Sequence, residues 1–259
     1  MSTMIESLHF ENLLKRYARS PSIALCRVPE VELLSRIKLI HPVLDHCCGD
    51  GLIAEMAFPG IRIDAGIDIS NRQLGVAKNR GNYQELHWAD AGDALPFPDE
   101  SFSTVFNNSG LEHIPSLEKA ITGISRVLKR GGRLYVNVLN SRYFERWPLS
   151  PETAEDYKAF QPFYHAKDEQ EWEEILRGRH FQHITFTDYL PDPESRILAT
   201  LDYRHSAFYF RKAFCLSVMC DRLLPEFWLI RKWRKLFQSL NWDSPPGMGS
   251  GFLISATKA

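Results

Sequence analysis

The chain has 259 residues, 44% of them hydrophobic and 24% charged, with a formal net charge of −1. This composition excludes a globally disordered chain and fits one generous α/β domain, or a core with an embedded accessory piece. A net charge so near zero supplies no long-range field to gather a polyanion, so no nucleic-acid partner is expected.

The five cysteines, Cys26, Cys47, Cys48, Cys215 and Cys220, are odd in number and irregularly spaced, unlike a secreted disulfide framework. Reduced thiols in the cytoplasm are expected. The N-terminal segment MSTMIESLHFENLLKRY has no basic stretch followed by an apolar run of signal-peptide length, and no stretch approaches about eighteen apolar residues. The chain is therefore expected neither to leave by that route nor to span a membrane.

Residues 1–40 read as helical, with Leu8, Leu13, Leu14 and Tyr17 at helical spacing. Pro29 is placed to open a second helix carrying Val31, Leu33, Leu34 and Ile37. From Pro42 the period changes. Short β-rich runs at 43–45, 63–69, 85–89, 103–107 and 133–139 alternate with helical stretches at 52–58, 71–79 and 116–129, the last closed by Gly131 and Gly132. Alternation of this kind predicts parallel strands joined by crossover helices. A loop rich in aromatics and prolines follows from Asn140 to His165, then a helix at 168–177 and a β run at 183–190. Residues 191–246 read as a helical insertion, and GFLISAT, 251–257, as a last strand, which predicts a mixed sheet with an antiparallel member. The expected organisation is a helical cap at 1–40, a core at 41–190 plus 247–259, and an inserted lid or acceptor-binding region at 191–246.

VLDHCCGDG, 43–51, is a short apolar strand running into a glycine-bearing turn and a helix. Glycines let backbone approach a ligand closely, and a helix start offers unpaired amides. Taken alone, the segment equally describes a ligand-free connection. GIDIS then puts Asp68 at the end of the next strand, where a carboxylate can accept both hydroxyls of a ribose. In WADAGDALPF, Asp90 ends a third strand, placed for an adenine amino group, with the Ala91 amide beside the ring.

With these pieces in order, followed by NNSGLEHI and LKRGGRLYV, the stretch from Val43 to about Val138 resembles the class I S-adenosylmethionine-dependent methyltransferases, particularly the small-molecule branch called methyltransferase type 11. The resemblance implies a Rossmann-like α/β fold, a seven-stranded mixed sheet ordered 3-2-1-4-5-7-6 with strand 7 antiparallel, and helices on both faces. It implies S-adenosylmethionine as methyl donor and S-adenosylhomocysteine as product. Asp45, Cys47, Gly49 and Gly51 would shape the pocket for the methionine part, Asp68 and Ile69 hold the ribose, Asp90 and Ala91 hold adenine, and Asn107 line the floor below the sulfonium. Three positions depart from the family pattern. Cys47 replaces the first glycine of the turn, where the backbone must avoid positive φ or accept strain. One extra residue after Asp90 makes Asp93 a rival for the adenine contact, and Ser103 replaces a common aspartate. A nicotinamide-dependent oxidoreductase shares the glycine turn and ribose acid but not the LPFPDESF and LEHI pieces; a non-catalytic adenosyl-binding relative is the other alternative.

His46, Cys47 and Cys48, with His41 nearby, suggest a metal site, but adjacent strand residues point to opposite faces, so no metal is expected. His113 lies just past the fourth strand, placed either as a general base for the acceptor or as a local packing residue. A small-molecule acceptor is expected, apolar or lipid-like. Its choice is assigned to the N-terminal helices, the insertion, and the loop bearing Tyr143, Phe144, Trp147, Tyr157, Phe160, Phe163 and Tyr164, whose aromatics either form a pocket or pack on themselves. From Arg204 to Leu240 eight Lys or Arg stand against two acids among many aromatics, and Leu229, Trp233, Leu236 and Leu240 form a helical stripe. That segment fits a lid, a homodimer contact, a peripheral membrane surface or a local nucleic-acid contact.

Overall fold

A computed structural model describes residues 8–210 and 215–259; Phe214 of the basic aromatic segment and the first seven residues lie outside them. Seven strands, β1 (Val43–His46), β2 (Ile63–Asp68), β3 (Tyr83–Trp88), β4 (Phe102–Asn108), β5 (Leu128–Leu139), β6 (Phe181–Tyr189) and β7 (Gly251–Lys258), form one sheet in the order β3-β2-β1-β4-β5-β7-β6. The β1–β2, β1–β4, β2–β3 and β4–β5 pairs are parallel and β5–β7 is antiparallel, as the sequence predicts. Every residue of β1 is buried, which explains why this central strand reads as a continuous short run instead of an alternating one.

By its own contacts the chain falls into two compact units. One comprises 33–140, 164–187 and 251–259 and contains α3 (Leu52–Ala57), α4 (Asn71–Arg80), α5 (Leu117–Val127) and α8 (Glu169–Arg177). Its core joins Leu44, Ile67, Val105, Leu134 and Val136 of the strands to Ile121 and Ile124 of α5 and Trp172 and Leu176 of α8. The other comprises 1–32, 141–163 and 188–250, so residues 141–163 group with the N-terminal helices and the insertion and not with the sheet.

Three local expectations are corrected. Pro29 does not open a helix: α2 (Pro21–Leu34) already starts at Pro21, and buried Leu25, Val28 and Val31 carry it through Pro29. Gly131 and Gly132 do not stop α5, which ends at Val127; β5 begins at once, and its register against β4 jumps from Phe102↔Leu128 to Thr104↔Arg133. The glycines form that bulge, with Gly131 at φ 72°. Residues 140–165 are not a plain loop, because Ser150 and Pro151 start α7 (Pro151–Phe160) after the short α6 (Ser141–Glu145).

The insertion is helical, with α9 (Glu194–Phe210), α10 (Leu216–Leu223) and α11 (Glu226–Gln238). On α11 the apolar stripe faces protein. Leu229, Trp233 and Phe237 are buried, the Phe237 ring meets Phe10 of α1 (Leu8–Arg16), and Trp233 Nε1 donates to the Ala18 carbonyl at 3.0 Å. The aromatics of 143–163 also pack on one another, since Tyr143, Phe144, Trp147 and Tyr157 form a mutual cluster of ring contacts.

Candidate active site at the C-terminal ends of β1, β2 and β3

The glycine turn is fixed from the neighbouring strand. Cys48 N–H donates to the Ile67 carbonyl at 2.8 Å, extending the β1–β2 ladder one step beyond the strand. The Asp68 carboxylate then joins the two chains: Oδ2 accepts from Gly49 N–H at 2.9 Å, and Oδ1 accepts from Ser70 N–H at 2.8 Å. Ser70 caps α4 by accepting from Gln73 N–H. An ionised carboxylate offers about four acceptor positions, so two remain at Asp68 for a ligand. Gly49 sits at φ 55° with open space where a Cβ would stand. The cradle is therefore open above Gly49 and edged by an acceptor suited to vicinal hydroxyls.

Tyr83, which the sequence reading did not single out, supports the cradle from beneath. A Cβ on Gly51 would come within 2.8 Å of its ring, and one on Gly66 within 2.9 Å, so both glycines are required by close approach. Its hydroxyl donates to Asp45 Oδ2 at 2.6 Å. Burial pushes the Asp45 carboxyl up to about 7; the Tyr83 hydrogen bond opposes this shift and nearby Asp68 adds to it. Arg80 is a second unforeseen support. It donates to the Asp50 carbonyl and carboxylate and to Glu55, pinning the turn's outer side. Both side chains start or precede β3, outside the glycine signature, and only the pairing of β2 with β3 reveals their reach.

Cys47 has φ 68°, so the turn keeps the left-handed conformation its missing glycine would have supplied. That geometry costs roughly 1–2 kcal/mol for a side chain. Room for the side chain comes from Gly110, where an added Cβ would lie 2.8 Å from Cys47 Cβ and 3.0 Å from its Sγ. Burial, with Asp68 and Asp45 nearby, pushes the Cys47 thiol well up, which leaves it protonated and a poor nucleophile.

Asn107 is wholly buried and wholly engaged. Its Nδ2 donates to the His46 carbonyl at 2.7 Å and to His46 Nδ1 at 3.1 Å, while Oδ1 accepts from Gly110 and Leu111 N–H, each at 3.1 Å. It ties the end of β1 to the turn after β4, with its amide hydrogen-bonding capacity used inside the protein. Burial lowers His46 to about 4, so the ring is neutral, with Nδ1 as acceptor. Among the described residues no three His, Cys, Asp or Glu side chains group as a metal ion needs.

Asp90 follows β3 and is exposed; its Oδ1 accepts from Gly92 N–H at 2.8 Å. Asp93 is exposed too, and its N–H closes the same turn onto the Asp90 carbonyl, so the two carboxylates share one turn. Ala91 is buried, whereas Ile69 is 60% exposed with its carbonyl bonded to Trp88 Nε1 at 2.7 Å. His113 ends a single 3-10 turn, Leu111–His113, and is half-buried. That turn is fastened by Tyr164 N–H on the Glu112 carbonyl and by His165 Nε2 on the Ile114 carbonyl. Asp45, Cys47, Gly49, Gly51, Asp68, Ile69, Asp90 and Ala91 thus fall at three adjacent strand ends, Asn107 behind them and His113 at the fourth.

Residues 44–136 match the family model described as a methyltransferase domain. The strand order β3-β2-β1-β4-β5-β7-β6 is set in a Rossmann-like fold of the kind found in methyltransferases. A ubiquinone biosynthesis O-methyltransferase of Dechloromonas aromatica is 34% identical over 106 residues, 38% of this chain and 44% of the relative. A demethylmenaquinone methyltransferase of Listeria welshimeri is 32% identical over 147 residues, 51% of this chain and 62% of the relative. The chain thus spans about half the length of these curated relatives. A SAM-dependent methyltransferase of Thermotoga maritima superposes with a TM-score of 0.63 at 17% identity, over 96% of this chain and 100% of that one, which shows the shared fold.

The Cys47–Gly110 contact predicts energetic coupling. Gly110→Ala is expected to cost about 1–3 kcal/mol by overpacking in the native chain, and less once Cys47→Gly has removed the opposing side chain. A double-mutant cycle in urea should return a coupling above roughly 0.5 kcal/mol. Additive single effects would contradict the contact.

Proposed function

We propose that this chain is a methyltransferase that takes S-adenosylmethionine as donor and a small, lipid-like organic molecule as acceptor. The observation that carries the reading is the Asp68 carboxylate, held by the Gly49 and Ser70 amides beside an open glycine turn. The residues present fit the donor: an acid with acceptor capacity left at the end of β2, an exposed acid after β3, and open space above Gly49. Asp68 would take the ribose hydroxyls, Asp90 and the Ala91 backbone the adenine, and the turn from Asp45 to Gly51 the methionine part.

Bound there, the donor supplies a methyl group on a positively charged sulfur. The protein's part is to hold that group in line with the acceptor and to keep the pocket dry, for which positioning alone supplies much of the rate. Asn107 and Gly110 set the path of the turn that carries His113, and His113 is assigned to receive a proton from an oxygen or nitrogen acceptor. Acceptor choice is assigned to the unit containing α6, α7, α9, α10 and α11, outside the matched segment. The names of the relatives, both quinone methyltransferases, support a ring with an apolar tail. Such an acceptor partitions to membranes; among the described residues no helix is long and apolar enough to cross one. The five free cysteines support a reducing, cytoplasmic setting.

Three measurements test this. In calorimetric titration, Asp68→Ala should weaken S-adenosylhomocysteine binding by about 1–3 kcal/mol through loss of charge-assisted hydrogen bonds, and an unchanged affinity refutes its role. The raised Asp45 carboxyl stabilises the ligand-free fold in its protonated form; that contribution is complete below the unfolded value and lost as pH rises through about 7. A cationic methionine ammonium beside it favours the ionised form, so affinity should rise between about pH 6 and 8 and flatten in Asp45→Asn. A wild-type affinity flat across that range opposes the placement. His113→Gln should lower kcat by roughly a hundredfold with donor affinity unchanged; an unaltered kcat removes it as base.

A further inference from the structure

The apolar stripe of α11 is spent on α1, yet the unit that contains it still shows an uncovered apolar surface. None of the residues of α10 is buried. Its two faces differ. Val218, Asp221 and Arg222 line one side of a cavity of about 150 Å³ whose other walls include Arg19, Arg204 and Lys232. On the opposite face Leu216, Met219 and Leu223 recur at helical spacing and reach solvent, with Leu216 63%, Met219 38% and Leu223 85% exposed. The chain then turns through Leu224 and Pro225 into α11, whose first turn exposes Phe227 (63%) and Trp228 (48%). Six large apolar side chains therefore reach solvent along α10, the turn after it and the first turn of α11.

Cations surround this surface. Between 215 and 238 the chain carries Arg222, Arg231, Lys232, Arg234 and Lys235 against only Asp221 and Glu226. Asp221 pairs with Lys232 at 2.6 Å and Glu11 with Arg234 at 2.7 Å, which neutralises two of them and leaves Arg222, Arg231 and Lys235 for the surface. Arg231 lies over the Trp228 ring at 5.8 Å from its centroid, and Arg222 over Phe208 at the same distance, so the cations sit beside the aromatics. The Arg19 guanidinium adds charge to the cavity by donating to the Arg222 and Asp221 carbonyls.

We propose that the α10–α11 turn is a docking surface for an anionic phospholipid bilayer, with Leu223, Leu224, Phe227 and Trp228 entering the headgroup–acyl boundary and Arg222, Arg231 and Lys235 meeting the lipid phosphates. An apolar wedge with an aromatic flank and a cationic border is what a bilayer surface selects. A second copy of this chain is the poorer occupant, because a two-fold contact sets each patch against itself and brings Arg222 and Arg231 towards their own equivalents. The proposal deepens the reading of a lipid-like acceptor but does not depend on methyl transfer. It assigns the surface to the α10–α11 turn and not to the α11 stripe.

The test is flotation of the full chain, without donor or acceptor, with vesicles of phosphatidylcholine alone or with phosphatidylglycerol. Binding is expected with the anionic vesicles, at least tenfold weaker with phosphatidylcholine alone, and reduced by high salt. Leu223→Ser with Phe227→Ser should abolish it, and Arg222→Glu with Arg231→Glu should reduce it by roughly tenfold or more. Both double variants should keep the wild-type melting temperature and S-adenosylhomocysteine affinity, which shows that they fold. Absent binding by the wild-type chain, equal binding to both vesicle types, or variants that bind like wild type would overturn the proposal. So would sedimentation showing a dimer that the Leu223/Phe227 variant loses, since the surface would then join two copies. Failure here with retained nucleoside binding leaves the methyltransferase reading standing; the reverse result leaves the docking surface standing.

Discussion

The C-terminal end of the sheet at β1 and β2 depends on one carboxylate. Asp68 accepts from the backbone of the β1 turn with one oxygen and from the start of α4 with the other. Neighbouring parallel strands stop pairing at their ends, and the amides beyond the ladder need acceptors. Asp68 supplies them, and so sets the spacing between the glycine turn and the next strand. A carboxylate held by two backbone donors is pre-oriented, so the proposed ribose hydroxyls would meet it with little reorganisation.

That arrangement carries a cost, visible in the same turn. Cys47 occupies a left-handed backbone position without being glycine, and the turn retains its path because Gly110 gives up a side chain opposite. Tyr83 does the complementary work below. It fills the space that Gly51 and Gly66 leave empty and caps a buried carboxyl that would otherwise stand unpaired in a poorly solvated place. The departure from the glycine pattern that the turn resembles is therefore absorbed locally, between two turns that Asn107 already ties together.

The strands were legible as β-rich runs alternating with helical stretches, the last two flanking an insertion, whereas their order in the sheet followed from the resemblance that the ordered motifs carry. Asp45, Asp68 and Asp90 were legible because each lies at or just beyond the C-terminal end of a β run. Pro29 misled because an earlier proline, Pro21, already starts that helix, and position alone does not rank two candidate starts. Gly131 and Gly132 misled because a glycine pair serves a helix stop and a β-bulge equally well, and only the register of β4 against β5 decides. Tyr83, Arg80 and Gly110 were silent in the sequence, since each acts through contacts with residues far away along the chain. The engagement of Asn107 was hidden likewise: its residue type says what it can bond, not that it has already done so.

The second unit shows how hydrophobic pattern and exposure diverge. In α11 the periodic stripe marks the buried side, while the apolar residues that reach solvent lie on α10, in the turn after it and in the first turn of α11. The account of the chain as an adenosyl-dependent methyltransferase rests, however, on the first unit. A crystal structure with S-adenosylhomocysteine bound tests it most directly. The account predicts ribose hydroxyls within hydrogen-bond distance of the Asp68 carboxylate, with the Gly49 amide still donating to it. A nucleoside bound elsewhere on the chain, or a carboxylate that contacts no part of it, would contradict the account.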